Sequence, residues 1–235
     1  MSQTDDWDGI AQWWIDAVRD DPTQSSDMLD MIEDLVDGTG GRTIDLGCGE
    51  GQVMRRLGEN TVGIDLSSEL LAHAAQAGPV VRARLPDLSW VRPGSFERAV
   101  ACGVIEMIQD HAAFFRNTAE VVSPGGHLLA VMNHPVATAP HSEPLVDPDG
   151  EVLWRWGTYL TPGSCTQLAG TEDVRLFHRP LSTLLSDAAS NGWCLERMVE
   201  RGPSDEAIAR FPEFHGQQDI PSLIGLRWSR GVRNT

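Results

Sequence analysis

The chain contains no lysine; all eighteen of its basic residues are arginine. That absence excludes lysine chemistry of every kind, including Schiff bases and pyridoxal phosphate attachment. Cysteine is sparse, and Cys48, Cys102, Cys165 and Cys194 are far apart with no C-x-x-C pair. Such spacing builds neither a zinc site nor a disulfide framework, and it fits reduced thiols. No apolar run approaches the ~18 residues of a membrane span, so no membrane partner is expected. The opening MSQTDDWDGI is acidic and lacks the basic-then-apolar pattern of a signal segment, so a cytoplasmic location is expected. Positive charge is also scarce. Thirty-four acidic residues against eighteen basic ones leave a net charge of −16. A surface this acidic repels phosphate backbones, and no basic cluster offsets it, so nucleic acid is not an expected partner. The sequence has no internal repeat, and nothing in it fixes an oligomeric state. Its 235 residues suffice for one large domain, or one domain with a sizeable insertion.

The densest information lies in TIDLGCGEGQ, Thr43 to Gln52, followed by TVGIDLS, Thr61 to Ser67. A short apolar run reads as a strand and leads into Gly47, Gly49 and Gly51 at alternate positions. A helical segment and a second short strand follow, ending on Asp65. Glycines admit close backbone approach to a ligand, and an acid at the next strand end can hold ligand hydroxyls. The register is G-x-G-x-G. Gln52 stands where the dinucleotide fingerprint places its last glycine, and the Walker G-K-[ST] is missing.

Periodicity organises the rest. Helices are expected from Ile10 to Arg19 and from Ser25 or Ser26 to about Val36, separated by Asp21-Pro22. Strands are expected at Arg42–Leu46, Val62–Asp65, Val80–Ala83, Phe96–Cys102 and His127–Asn133. Helices are read at Gln52–Leu57, from the N-cap Ser67 to Ala77, and at Ala112–Val122. Ser123-Pro124-Gly125-Gly126 reads as the turn opening the fifth strand. The alternation breaks from about His134 to Arg175, a stretch rich in Pro, Gly, Asp and Trp. A long, weakly regular insertion of this kind is usually functional. A hairpin pairing Glu151–Arg155 with Thr171–Phe177 is expected there. A helix at Leu181–Ser190, a strand at Trp193–Glu200, a short helix near Asp205–Ala209 and a strand at Leu223–Trp228 complete the reading. Asp147, Asp149 and Glu151 in DPDGE read as a turn, and no metal is assigned.

The pattern D-x-G-C-G-x-G, with Asp65 fourteen residues beyond Gly51, resembles motifs I and II of the class I S-adenosylmethionine (SAM) methyltransferases. SFERAVACGVIEMIQDHAAFFRNTAEVVSPGGHLLAV resembles their fourth-to-fifth strand block, and HRPLSTLLSDAASNGWCLERMVE their late helix and sixth strand, in the ubiquinone-methylase-like, small-molecule type. The resemblance implies an α/β fold: a Rossmann-like, doubly wound sheet of about seven strands with the last antiparallel. N-terminal helices and an insertion after strand five would complete it. The chain would then divide into a helical lid at 1–41, a SAM-binding core at 42–133, a substrate-covering insertion at 134–178, and the rest of the core at 179–235.

Several site residues follow from the resemblance. Asp45 would orient the glycine loop and the methionine amino group. Gly47, Cys48, Gly49 and Gly51 would let the loop pass under the methionine and ribose. Asp65 would accept from both ribose hydroxyls, and Leu66 would pack on adenine. Cys102 and Gly103 would pass beside the methionine moiety. Arg84 departs from the pattern, since it stands where the family usually has an acid beside the adenine amino group; Leu85 would offer its N–H to the ring. Trp13 and Trp14 would either close over the cofactor or pack on the sheet. His134, His178 and Glu106 are candidates for proton removal, each with an ordinary structural role as its alternative. Trp154, Trp156 and Tyr159 would wall an acceptor or pack the insertion. The expected activity is methyl transfer from SAM to oxygen or nitrogen of a small molecule. Carbon methylation of a quinone- or polyketide-like acceptor, and SAM binding without transfer, stand as alternatives.

Overall fold

The structure, a computed structural model, describes residues 7–18, 21–169 and 172–231. In chain order the elements are α1 (Trp7–Val18), α2 (Ser26–Val36), β1 (Thr43–Leu46), α3 (Gln52–Leu57), β2 (Thr61–Asp65), α4 (Ser68–Ala74), β3 (Val80–Arg82) and β4 (Phe96–Cys102). A 3₁₀ turn at Ile105–Met107 leads to α5 (His111–Val121), β5 (Val122–Asn133) and α6 (Pro135–Thr138). Two hairpins follow, β6 (Glu143–Val146) with β7 (Val152–Arg155), and β8 (Gly163–Ala169) with β9 (Glu172–His178). The chain then returns through α7 (Leu181–Ser190), β10 (Trp193–Arg201), α8 (Asp205–Arg210) and β11 (Leu223–Arg230).

One seven-stranded sheet runs in the order β10-β11-β5-β4-β1-β2-β3. All neighbours from β3 to β5 pair in parallel, and β11, the last strand of the chain, is antiparallel to both β5 and β10. The expected architecture is therefore the one observed. Strand alternation supplies both faces of its core. Along β5, Leu128, Ala130 and Met132 face a cluster containing Phe114, Phe115, Leu184 and Trp228, whereas Leu129 and Val131 meet α2 on the other side. The α2 stripe of Met28, Met31, Ile32 and Leu35 sits at helical spacing and is wholly buried.

Chain order reverses beside β1: β2 and β3 lie on one side of it and β4 on the other. The loops leaving β1 and β4 therefore diverge, and a crevice opens at the carboxyl ends of the strands.

Several local expectations need correction. The first helix begins at Trp7, not Ile10, with Asp8 in its first turn where a carboxylate suits the helix dipole; Arg19 lies outside the described residues. The Ser67-capped helix ends at Ala74. Ser123 to Gly126 lies within β5, at a register shift against β4 between Phe96 and Arg98. The insertion does not pair Glu151–Arg155 with Thr171–Phe177. Each of those strands pairs with its sequence neighbour instead, since a hairpin closes a shorter loop. Asp147 Oδ1 accepts from the Asp149 and Glu151 N–H groups at 2.9 and 2.8 Å, which makes DPDGE a capped turn.

Candidate functional site

The loop after β1 is held from beneath. The Gly47 and Cys48 N–H groups both donate to the Ile64 carbonyl, at 2.8 and 2.9 Å. Its three glycines do different work. Gly47 (φ +74°) passes under Val104, where an added Cβ would stand 2.5 Å from Cγ2. Gly49 (φ +52°) has nothing within 4 Å of such a Cβ and faces open space. Gly51 (φ +91°) caps α3 and packs on α4, its would-be Cβ 2.9 Å from the Ala74 Cα. Gly47 and Gly49 line the crevice; Gly51 does not.

Two acids flank this loop. Asp45 on β1 is 1 % exposed, and its Oδ2 has no hydrogen-bond partner. Burial, reinforced by the nearby Asp65 charge, pushes its carboxyl up to about 8. Asp65 ends β2 and accepts from Gly49 N–H and Ser67 N–H, both at 2.9 Å. Burial raises its pKa, while those two N–H donors oppose the rise. Each oxygen of Asp65 accepts one such bond, which leaves lone pairs for a further donor.

The crevice has two lobes. The larger encloses about 810 Å³ including its open mouth. Asp65, Leu66, Arg84 and Leu85 line one end of it, and Val104, Met107 and Ile108 another. The smaller lobe is lined by Asp45, Cys48, Glu50, Gln52 and Met28. Gly47, Gly49, Cys102, Gly103 and Trp14 border both lobes and form the waist between them. Burial pushes the Cys48 and Cys102 thiols up, so neither is a nucleophile at neutral pH.

Helix α1 closes one side. Trp7 and Trp14, two turns apart on one face, meet in a T-shaped contact at 5.7 Å and both line the larger lobe. Asp8 fastens the helix. Its carboxylate accepts from Ser67 Oγ at 2.6 Å, Ser68 Oγ at 2.9 Å and Glu69 N–H at 3.2 Å, with the Arg82 guanidinium at 3.7 Å. The Ser67 hydroxyl, followed by the Glu69 N–H, holds the Asp8 carboxyl down at about 2. Trp13, by contrast, is turned to solvent.

The three candidates for proton removal lie apart from the lobes' linings. His134 is buried; Nδ1 accepts from Val136 N–H at 3.1 Å, capping α6, which leaves Nε2 as the donor to Glu200 at 2.9 Å. His178 is fully buried, with Nε2 donating to the Tyr159 carbonyl at 2.8 Å and Nδ1 facing the Thr138 hydroxyl at 3.3 Å. Both rings are engaged at both nitrogens, and burial lowers both pKa values. Glu106 Oε1 accepts from the Asn133 backbone and side chain at 3.1 and 3.0 Å, its Oε2 is unpartnered, and burial raises its pKa. Tyr159 packs between Trp156 and His178 and accepts from Leu181 N–H, while Trp156 is 59 % exposed.

Sequence reading missed Asp8, Trp7, Met28 and Ile108. For Asp8 and Trp7 a signal was present: an acid at the start of an apolar-periodic stretch marks a first turn. For the others there was none, since which core-like side chains face a cavity is set by topology.

A Rossmann-like domain with a two-lobed crevice at the switch point of its sheet is thus the class that fold and site define. The profile of the methyltransferase domain family matches residues 44–130, which span β1 to the middle of β5. The chain is 31% identical over 149 residues to a ubiquinone biosynthesis O-methyltransferase of Xanthomonas euvesicatoria, covering 57% of this chain and 62% of that protein. It is 35% identical over 121 residues to one of Ralstonia nicotianae, covering 47% and 51%. The matched segments thus span about half to three-fifths of those relatives. A SAM-dependent methyltransferase structure from Mesorhizobium loti superposes with a TM-score of 0.75 at 29% identity, over 86% of this chain and 96% of that one. Residues 44–130 thus match the methyltransferase domain family, and most of the chain shares the fold of a SAM-dependent methyltransferase. Among the described residues, no helix is long and apolar enough to cross a membrane, and no group of three or more His, Cys, Asp and Glu is placed to hold a metal.

Proposed function

We propose that this protein is a SAM-dependent methyltransferase acting on a small molecule. The observation that carries the proposal is the pairing of two acids across a glycine-lined waist. A buried, unpartnered Asp45 oxygen faces one end, and the Asp65 carboxylate the other. An orphaned buried acceptor calls for a donor, and a ligand ammonium supplies one with charge. The two oxygens of Asp65 match a vicinal diol. Leu66 and Leu85 offer an apolar slot beyond it for a purine. SAM carries all three groups in that order. Arg84, which presents donors only, leaves the adenine amino group to other acceptors.

When bound, SAM supplies a methyl group on a positive sulfur, already activated for in-line displacement. The chain's own residues bind, orient and exclude water. Asp45 and Asp65 fix the two ends, and the loop from Gly47 to Gly49 fixes the path between them. Helix α1 shields the waist from solvent, as the lid of the N-terminal segment 1–41. Val104, Met107 and Ile108 give the acceptor an apolar wall. The insertion at 134–178 covers the acceptor side: β9 lies beside the 3₁₀ turn that carries Met107, and β8 beside α1. In this reading His178 ties the insertion together, since its ring joins Tyr159 to Thr138, both within it. Oxygen is the favoured acceptor atom because the curated relatives are named O-methyltransferases.

Two measurements test the proposal. SAM binds in calorimetry, and Asp65→Ala weakens it about tenfold or more, the order expected for losing charge-assisted hydrogen bonds; unchanged affinity removes the ribose assignment. Methyl-labelled SAM then labels members of a panel of small phenols, quinols and amines. Binding without any transfer marks the protein as a SAM binder only.

A further inference from the structure

We infer that Trp14 is the residue by which this site tells the charged methyl donor from its neutral product, through the face of its indole ring. The inference rests on the cofactor reading above. Five residues border both lobes, and four of them, Gly47, Gly49, Cys102 and Gly103, come from the end of β4 and the loops after β1 and β4. Three are glycines and one is a half-buried thiol, so this side of the waist presents almost no side chain. Trp14 is the fifth, and it alone reaches the waist from outside the sheet layer. In SAM the sulfonium joins the adenosyl half to the methionyl half. A ligand whose ribose sits at Asp65 and whose ammonium sits at Asp45 must place its sulfur at the waist, beside Trp14. A cation against an indole face gains electrostatic attraction from the ring quadrupole, and more when water is excluded. S-adenosylhomocysteine has the same shape without the methyl group and the charge, so it loses this attraction and keeps the rest.

Trp14 is also held where it can act. Ala11 and Ile15 of α1 pack with Leu70 of α4, Trp14 packs against that cluster, and Trp7 braces it edge-to-face. The Asp8 clasp on Ser67, Ser68 and Glu69 fixes the start of the same helix. The ring is therefore positioned by the fold rather than recruited by the ligand.

The test is calorimetric titration of wild type, Trp14→Leu, Trp14→Phe and Asp8→Ala with SAM, S-adenosylhomocysteine and sinefungin, which carries an ammonium in place of the sulfonium. Trp14→Leu is expected to weaken SAM and sinefungin about tenfold more than S-adenosylhomocysteine, the size of a desolvated cation–π contact. Trp14→Phe keeps a ring of weaker quadrupole and falls between. Asp8→Ala loosens the whole helix and weakens all three ligands by one factor. If Trp14→Leu does not fold, as judged by circular dichroism, the smaller selective loss in Trp14→Phe decides. Equal losses for the charged and neutral ligands in the Trp14 variants overturn the inference and leave the cofactor reading intact. Failure of every ligand to bind wild type overturns both.

Discussion

Asp45 shows how a single residue's surroundings set its behaviour. Its carboxyl is pushed up to about 8, well above an ordinary aspartate, because it is buried without a partner and near the Asp65 charge. Below about pH 8 the free protein therefore keeps it protonated. A ligand ammonium stabilises the ionised form, so binding releases a proton. SAM affinity should rise with pH between about pH 6 and 7.5, by at most about tenfold per unit. Calorimetry in buffers of different ionisation enthalpy reads both the rise and the released proton. Asp45→Asn should bind more weakly with a flat profile. The histidines teach the reverse lesson. A histidine at a strand end is a reasonable candidate base from sequence, yet His134 and His178 have both ring nitrogens engaged by neighbours far from it in sequence or across an element start. Apart from Val136, which lies two residues from His134, those partners lie 19 to 66 residues away, so no local pattern could reveal them.

At the scale of the element, the glycine loop separates roles that its sequence runs together. Gly49→Ala points a methyl into open space beside the waist, while Gly51→Ala drives one into the Ala74 backbone at a left-handed φ. Gly51→Ala should lower stability by roughly 2–4 kcal/mol, combining overpacking with backbone strain. Gly49→Ala should cost about 1 kcal/mol of stability from φ alone and lose most of its SAM affinity. Thermal melts and titrations on the two variants check this; matching profiles would contradict the division. The loop was legible because its chemistry is local: strand, glycines, helix, acid. The insertion was not. Glu151–Arg155 and the segment ending at Phe177 were both recognisable as extended, but strand partners depend on which loops close, and adjacent hairpins won. Helix α1 was legible in part. Its apolar face predicted a helix, but the fastening of Asp8 to Ser67 spans 59 residues.

For the whole molecule, burial of histidine links the fold to pH. Burial lowers the pKa of His134 and His178, and lowers that of His111 to about 4. Unfolded histidines take up protons near pH 6.5, before the folded ones do. The stability that their neutral burial contributes is full above about 6.5 and is lost as pH falls toward 4. His111 alone accounts for about 3 kcal/mol at full protonation, which for a domain of this size shifts Tm on the order of 5–10 °C. Scanning calorimetry from pH 7 to about pH 4.5 should show that wild type loses more stability, or gains less, than His111→Gln over that range. Asp45 works in the opposite direction. Its raised folded pKa favours the folded state at low pH; this advantage is full below about 4 and is lost progressively as pH rises to about 8, so it opposes the histidines over the same range.

By itself the sequence determined the alternation of strands and helices, the glycine loop and its two acids, because each rests on alternation, turn chemistry and spacing within a few tens of residues; the seven-stranded order followed only from the resemblance those motifs carry. Tertiary structure alone decided that Gly51 packs on α4, that His134 and His178 have both ring nitrogens engaged, and that Asp8 fastens a helix whose Trp14 borders both lobes. Those outcomes depend on which side chains meet when β1, β2 and β4 converge and α1 folds over them, and contacts between distant segments leave no local mark in a chain.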